Sequence, residues 1–198
     1  MARTDALPPG PEATAGDART RILAGAYDLF SRNGIRAVGI DAIIARSGVA
    51  RMTLYRHFAS KEELVLAYLE LREERWTRGW LQDEVEARAD DPAERLLAVF
   101  DVFDPWFRRD DFEGCAFIRV MLESIDGEDA VRAASTASLT RIRGFLEALA
   151  RDAGVADPDD FARKWHILMK GSIVAAGEGD ADAARRAQQL GRLLLAQG

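Results

Sequence analysis

The chain has 198 residues, of which 48% are hydrophobic and 30% charged, values typical of a globular protein that can bury a sizeable core. No apolar run approaches the roughly 20 residues of a membrane span, and the N-terminus lacks a basic-then-apolar signal segment. A single cysteine, Cys115, excludes an internal disulfide, so we expect a cytoplasmic protein. The net charge of −6 argues at first against nucleic-acid binding.

The distribution of charge reverses that argument. Residues 17–61 carry eight basic and three acidic side chains, whereas residues 62–198 carry 18 basic and 28 acidic ones. A basic N-terminal lobe on an acidic body is typical of a protein that binds DNA through one end. Charge alone leaves open a chance asymmetry on solvated faces.

The first 62 residues predict an arm followed by helices. Residues 1–16 are rich in Pro, Ala and Gly, which favours a mobile arm. Asp17 is a suitable N-cap for a first helix that ends at Asn33-Gly34. The apolar face of this helix is formed by Ile22, Ala26, Leu29 and Phe30.

Residues 38–58 predict two short helices joined by a turn at Gly48, which is a helix-turn-helix. Leu54 and Phe58 lie one turn apart and should face inward, which leaves polar and basic side chains outside. Arginine can bind guanine with two hydrogen bonds, and Thr and Tyr hydroxyls can bind phosphates. The predicted DNA-contacting residues are Arg46, Arg51, Met52, Thr53, Tyr55, Arg56, His57 and Lys61. The alternative is a helical hairpin with a solvated basic face.

A capping box lies directly after the second short helix. Ser60 and Glu63 have the spacing of that motif, so the next helix should begin with free backbone N–H groups. Lys61 lies at this positive helix end, which suits a phosphate. The motif therefore adds a candidate backbone contact beside the second short helix.

The segment Arg-Met-Thr-Leu-Tyr-Arg-His-Phe-Ala-Ser-Lys-Glu-Glu-Leu, residues 51–64, resembles the recognition-helix signature of TetR-family transcriptional regulators. Residues 20–34 are similar to the first helix of that family, and residues 114–117 followed by Glu123 are similar to a segment of one subgroup's ligand domain. The resemblance implies an all-helical homodimer whose C-terminal part binds a ligand that changes operator affinity. Gly39, Ala50 and Ile44 depart from the family pattern, and Ala50 removes a helix cap worth on the order of 1 kcal/mol.

The remaining sequence predicts further helices. An uninterrupted helical pattern runs from Lys61 to about Ala89, and Asp-Pro pairs at 91–92 and 157–158 mark two more helix starts. The predicted helices then cover 92 to about 104, 115–125, 128–153, 158–177 and 181–197. The predicted fold is all-α with about nine helices, divided into an arm (1–16), a helix-turn-helix domain (17–62) and an effector-binding and dimerisation domain (63–198).

Aromatic and Met side chains recur on separate helices of the C-terminal part, where they either form an ordinary core or line an apolar ligand pocket. Periodicity alone favours a core, and the family resemblance favours a pocket. The predicted ligand-binding residues are Trp76, Trp80, Phe103, Phe107, Phe117, Met121, Trp165 and Met169.

The last two helices carry small and apolar residues on faces that a monomer need not fill, which predicts a homodimer built as a four-helix bundle. The alternative is that these faces are internal core. Catalytic chemistry has little support, because a Cys115–His166 pair is the sole candidate and buried thiols and packed imidazoles are far commoner. We expect no metal site and no cofactor.

The sequence therefore predicts a dimeric DNA-binding transcriptional regulator, a repressor that a small apolar effector releases from a near-palindromic duplex operator. Three alternatives remain at this stage. The chain could bind DNA without an effector or activate transcription. It could be a ligand-binding sensor with weakened DNA affinity. The third alternative is an enzyme.

Overall fold

The computed structural model describes residues 16–124 and 129–197, which form nine helices and no strand, as the all-α prediction requires. The N-terminal arm, except Gly16, and the predicted break at Gly127 lie outside these residues. The helices are α1 (Ala18–Asn33), α2 (Ile40–Ser47), α3 (Arg51–His57), α4 (61–88), α5 (Pro92–Phe107), α6 (Ala116–Glu123), α7 (Asp129–Asp152), α8 (Pro158–Gly177) and α9 (Ala183–Leu195).

The described residues divide into two compact units. The N-terminal unit contains residues 16–74, 115–124 and 129–138, so it includes α6 and the first parts of α4 and α7 besides α1–α3. The C-terminal unit contains residues 75–114 and 139–197. The chain passes from one unit to the other inside α4, before α6 and inside α7.

Local sequence signals define the helices of the N-terminal unit. The Asp17 carboxylate accepts a hydrogen bond from the Thr20 N–H at 2.8 Å and starts α1. Gly48 ends α2 with φ 63° and ψ 32°, a left-handed conformation that costs glycine nothing. The core beneath these helices contains Ile22, Phe30, Ile43, Leu54, Phe58 and Leu64, each at most 1% exposed.

Helices α5, α8 and α9 supply much of the C-terminal unit. Pro158 occupies the first turn of α8, and the Asp157 carboxylate accepts from the Asp160 N–H at 3.2 Å. Trp165 on α8 is fully buried and stacks on Phe161 at 5.4 Å between ring centroids. Phe100 on α5 lies 5.5 Å from the same indole, so α5 and α8 share one aromatic core.

Two helix details differ from the sequence prediction. Helix α5 does not end at Asp104-Pro105 but continues to Phe107 with Pro105 inside it. Trp106 and Phe107 are 3% and 9% exposed, and this burial offsets the cost of proline in the last turn. Helix α4 spans the predicted extent, but residues Glu73–Gln82 are π-helical, a winding that the periodicity of the sequence does not reveal.

We expect Gly191→Ala to destabilise the protein by about 1–3 kcal/mol. A Cβ atom at Gly191 would lie 2.6 Å from Cη2 of the buried Trp165 ring, so α9 and α8 would have to separate. Gly144→Ala on α7 is the matched control, because no atom lies within 4 Å of its added Cβ, and it should stabilise by about 0.5–1 kcal/mol. Urea unfolding measures both, and equal stabilities of the two variants would contradict the prediction.

Candidate nucleic-acid interface and effector region

Helix α3 has one buried side and one exposed side. Leu54 is fully buried and the adjoining Phe58 is 1% exposed, as predicted. On the other side Met52 is 79% and Tyr55 41% exposed. Arg51 and Arg56 are also exposed, whereas Thr53 and His57 are partly buried. The burial of Leu54 and Phe58 therefore fixes which side chains a DNA groove could meet.

The short helices α2 and α3 lack side-chain N-caps, whereas α4 has the capping box that the sequence predicts. Neither Gly39 nor Ala50 makes a side-chain cap hydrogen bond, so α2 and α3 begin with free backbone N–H groups. The Glu63 N–H donates to Ser60 Oγ at 3.1 Å, which starts α4. The Glu63 carboxylate accepts from the Ala59 N–H at 2.7 Å, one residue before the cap.

Two of the predicted DNA-contacting arginines are bound to carboxylates. Arg46 Nε donates to Asp28 Oδ2 of α1 at 2.9 Å. Arg51 Nη2 donates to Asp41 Oδ1 of α2, and this pair joins the first turns of the two helices. The sequence prediction missed both acidic partners, although Asp28 and Asp41 are the only acidic residues between Asp17 and Lys61.

A carboxylate from α6 binds the connection between α1 and α2. Glu123 Oε2 accepts from the Ile35 N–H at 2.7 Å and from the Arg36 N–H at 3.0 Å. Gly34 has φ 80°, and a Cβ atom there would lie 2.3 Å from Glu123 Oε1. We call these two hydrogen bonds the Glu123 clamp. It explains why a glycine occupies this turn and ties α6 to the helix-turn-helix.

Further hydrogen bonds hold α6 within the N-terminal unit. Arg119 Nη1 donates to the Ser31 carbonyl of α1 at 2.6 Å. Arg132 Nη1 of α7 donates to the Met121 carbonyl at 2.8 Å, and Ser135 Oγ donates to the Phe117 carbonyl. The clamp is therefore one part of a polar network that connects α1, α6 and the start of α7.

Four predicted ligand-binding residues meet in one aromatic cluster of the C-terminal unit. Trp76 and Trp80 of α4 lie 5.2 Å apart between ring centroids, and Trp76 lies 6.1 Å from Phe103 of α5. Phe103 and Phe107 lie 5.4 Å apart. Trp106, which the sequence prediction omitted from the ligand-binding set, contacts all four rings and lies 5.0 Å from Phe112.

The other predicted ligand-binding residues lie elsewhere. Trp165 and Met169 are buried on α8 within the C-terminal unit, where Trp165 packs on Phe100 and Phe161. Phe117 and Met121 are on α6, in the N-terminal unit. A pocket of about 260 Å³ lies between α5 and α9, and none of the eight lines it: its residues are Phe100, Asp101, Asp104, Ala184, Arg185 and Gln188.

Two buried polar atoms accompany the aromatic cluster. Trp76 Nε1 and Thr77 Oγ1, both on the π-helical part of α4, have no hydrogen-bond partner among the described residues. Trp76 is 5% and Thr77 2% exposed. A buried donor or hydroxyl without a partner is costly, and a water or a bound molecule that supplied the partner would remove that cost.

The C-terminal unit contains one histidine, His166. Burial, together with the nearby charges of Lys170 and Arg143, lowers the pKa of the His166 imidazole to about 3, so the ring is neutral at physiological pH. Within the described ranges no three His, Cys, Asp or Glu side chains are placed to hold a metal ion. No helix in residues 16–124 and 129–197 is long and apolar enough to span a bilayer.

Comparisons with known proteins agree with this architecture. Residues 22–68 match the family model described as bacterial regulatory proteins, tetR family, and residues 92–190 match the tetracyclin repressor-like C-terminal domain. The chain is 33% identical to the uncharacterized HTH-type transcriptional regulator Rv1255c of Mycobacterium tuberculosis, over 92% of this chain and 86% of that one. The structure of SCO4454, a TetR-family transcriptional regulator from Streptomyces coelicolor, matches with a TM-score of 0.82 and 28% identity, over 91% of this chain and 95% of that one.

A second relative matches over a shorter range. The HTH-type transcriptional regulator UidR of Escherichia coli is 36% identical over 107 residues. That match covers 54% of this chain and 40% of UidR, so the chain spans about two fifths of the length of this relative.

We expect Glu123→Ala to lower the free energy of unfolding by about 1–3 kcal/mol, because it removes the acceptor of two backbone N–H groups. Glu123→Gln keeps one acceptor oxygen and should cost less. Glu86→Ala, an exposed position on α4, is the control and should change stability by no more than about 0.5 kcal/mol. Denaturant unfolding of the three variants tests this ranking, and a Glu123→Ala protein as stable as the control would refute it.

Proposed function

Because this chain belongs to the TetR family of bacterial regulatory proteins, we propose that it is a DNA-binding transcriptional repressor whose dimer leaves its operator when a small apolar ligand binds. The observation that carries the proposal is the exposed side of α3, which presents two arginines, a tyrosine and a methionine while Leu54 is buried on the other side. Residues 17–61, which include α3, carry eight basic and three acidic side chains, although the net charge of the whole chain is −6.

The residues of this surface divide by chemistry. Arg51, Thr53 and Tyr55 would contact bases or phosphates in the major groove, with Met52 offering an apolar contact beside them. Arg56, His57 and Lys61 would hold the phosphate backbone. Arg46 would supply a phosphate contact from α2 while its Nε stays on Asp28.

We expect Arg56→Ala to weaken binding about equally on all duplexes, because a phosphate contact carries no sequence information. In a dimer it should reduce the slope of log K against log salt by about 2, since each lost phosphate contact removes about 0.9. Arg151→Ala on α7, whose guanidinium is paired with Glu147, is the control and should leave the slope unchanged. Fluorescence anisotropy over a salt series measures both slopes.

An unfilled apolar surface on α8 and α9 supports the dimer. Ile167 and Val174 are 66% and 55% exposed on α8, and Gly171 lies between them on the same side. Leu190 and Leu193 on α9 are 50% and 61% exposed. Large apolar side chains at this spacing favour close packing of two α8–α9 pairs across a two-fold axis. Two recognition helices could then meet successive major grooves about 34–36 Å apart.

We expect the double variant Ile167→Glu and Val174→Glu to be a monomer, because it places four charges in the symmetric contact. Leu122→Glu is the matched control, since Leu122 is 57% exposed on α6 but lies outside the proposed contact. Sedimentation velocity should give the monomer mass for the first variant and the dimer mass for the control. The proposed surface is wrong if the double variant remains a dimer.

The aromatic cluster supports an apolar effector. Its rings bury a large apolar surface, and the unpartnered Trp76 Nε1 could donate to an acceptor on a ligand. A ligand changes operator affinity only by its different affinity for the two states of the protein.

We expect two-ring aromatic compounds that carry a carbonyl group to change tryptophan emission and release the operator. Phe103→Leu, which alters the cluster but stays apolar, should weaken this release at least tenfold while leaving operator affinity without ligand within about threefold. Titrations that follow emission and DNA anisotropy together test this. Compounds that shift neither signal would count against an effector site in this cluster.

A further inference from the structure

We propose that Asp41 determines operator specificity by holding the Arg51 guanidinium for a guanine base. The inference rests on the DNA-binding function proposed above and assigns a role to an acidic residue that the function does not otherwise need. Arg51 Nη2 donates to Asp41 Oδ1, so the second residue of α2 is bound to the first residue of α3.

Stability does not account for this pair. The Asp41 side chain is 79% and the Arg51 side chain 58% exposed, and ion pairs at such exposure contribute little to folding. Asp41 is not the N-cap of α2, which is Gly39, and as an acidic residue in the first turn it would favour the helix whether or not it binds Arg51. A carboxylate on a surface that meets phosphates also weakens DNA binding in general.

The geometry of the guanidinium explains why a carboxylate that weakens DNA binding is useful at this position. Arginine carries five N–H donors in a planar fork, and Asp41 occupies a donor of Nη2. The remaining donors stay available for O6 and N7 of guanine, which together accept two hydrogen bonds from one arginine. A fixed guanidinium loses less conformational freedom on binding, and the adjacent carboxylate repels a phosphate oxygen from the same site. Asp41 therefore directs Arg51 to a base edge instead of the backbone.

The neighbouring cations provide a contrast. In the part of the chain that the structure describes, neither Arg56 nor Lys61 forms an ion pair or a side-chain hydrogen bond with a carboxylate. Unrestrained cations suit phosphates, which accept hydrogen bonds from many directions. The restrained Arg51 and the unrestrained Arg56 and Lys61 are thus suited to different parts of the duplex.

The test begins with selection of duplexes from a random library by the full chain, followed by competition with all four base pairs at every position of the selected half-site. The wild-type protein should prefer guanine at one position by about 10-fold to 100-fold. Arg51→Ala should abolish the preference at that position. Asp41→Asn, which keeps the side-chain size, should reduce it several-fold at the same position and raise affinity for unrelated duplexes.

Asp28→Asn is the matched control, because Asp28 is bound to Arg46 in the same unit. It should leave the guanine preference unchanged. In the double variant Asp41→Asn with Arg51→Ala, base preferences should equal those of Arg51→Ala alone, since Asp41 acts through Arg51. Circular dichroism confirms that each variant is folded.

Several outcomes overturn the inference. It is wrong if Asp41→Asn keeps the full guanine preference, or if it lowers preference equally at all positions. If the wild-type protein selects a defined operator and Asp41→Asn has the same base preferences, only the role of Asp41 is refuted. A wild-type protein that selects no sequence refutes the proposed function, and the inference with it.

Discussion

The Glu123 clamp is the contact on which the N-terminal unit depends. One carboxylate oxygen accepts two successive backbone N–H groups, from Ile35 and Arg36, in the connection that leads into α2. The segment between α1 and α2 is not helical, and the N–H group of the buried Ile35 there is satisfied by a distant side chain instead. Because Glu123 ends α6, the position of the helix-turn-helix is set partly by a helix 88 residues further along the chain.

Acidic residues in the basic segment act as restraints on its arginines. Asp28 binds both Arg32 and Arg46, and Asp41 binds Arg51. The net charge remains positive, so attraction to DNA persists while particular guanidinium groups are held in place. Both carboxylates lower the attraction to any duplex, and in the proposal above Asp41 compensates for this by orienting the arginine that distinguishes one duplex from another.

Local signals allowed much of the fold to be predicted. Asp17, Gly48, Ser60 and the Asp-Pro pairs each act within a few residues, and the structure places helix ends at all of them. The burial of Leu54 and Phe58 followed from helical spacing alone. These features are predictable because backbone hydrogen bonding and side-chain periodicity are local properties.

The rest depends on contacts between distant segments. Spacing could not reveal that Glu123 reaches Ile35 or that Arg46 and Arg51 turn towards carboxylates. Helix α5 passes Pro105 because Trp106 is buried against rings from α4, which a local rule for proline does not include. The predicted ligand-binding residues were chosen by residue type, and the structure unites only those of α4 and α5 in one cluster.

The connections between the two units limit how a ligand could influence the DNA surface. The chain crosses inside α4, before α6 and inside α7, and the π-helical part of α4 begins at Glu73, next to the first crossing. Glu73 Oε2 accepts from Ser138 Oγ at 2.9 Å in a buried contact, and Ser138 adjoins the crossing in α7. Trp76 and Thr77 follow Glu73 within one turn, so a ligand that engages their unpartnered polar atoms would act on the winding of α4 close to this contact.

Two helices, α4 and the start of α7, continue from this contact into the N-terminal unit. The start of α7 is joined to α6 by the hydrogen bonds of Arg132 and Ser135. Since α6 carries the clamp, a shift of α6 or of the start of α7 would bear directly on the connection between α1 and α2 within the N-terminal unit.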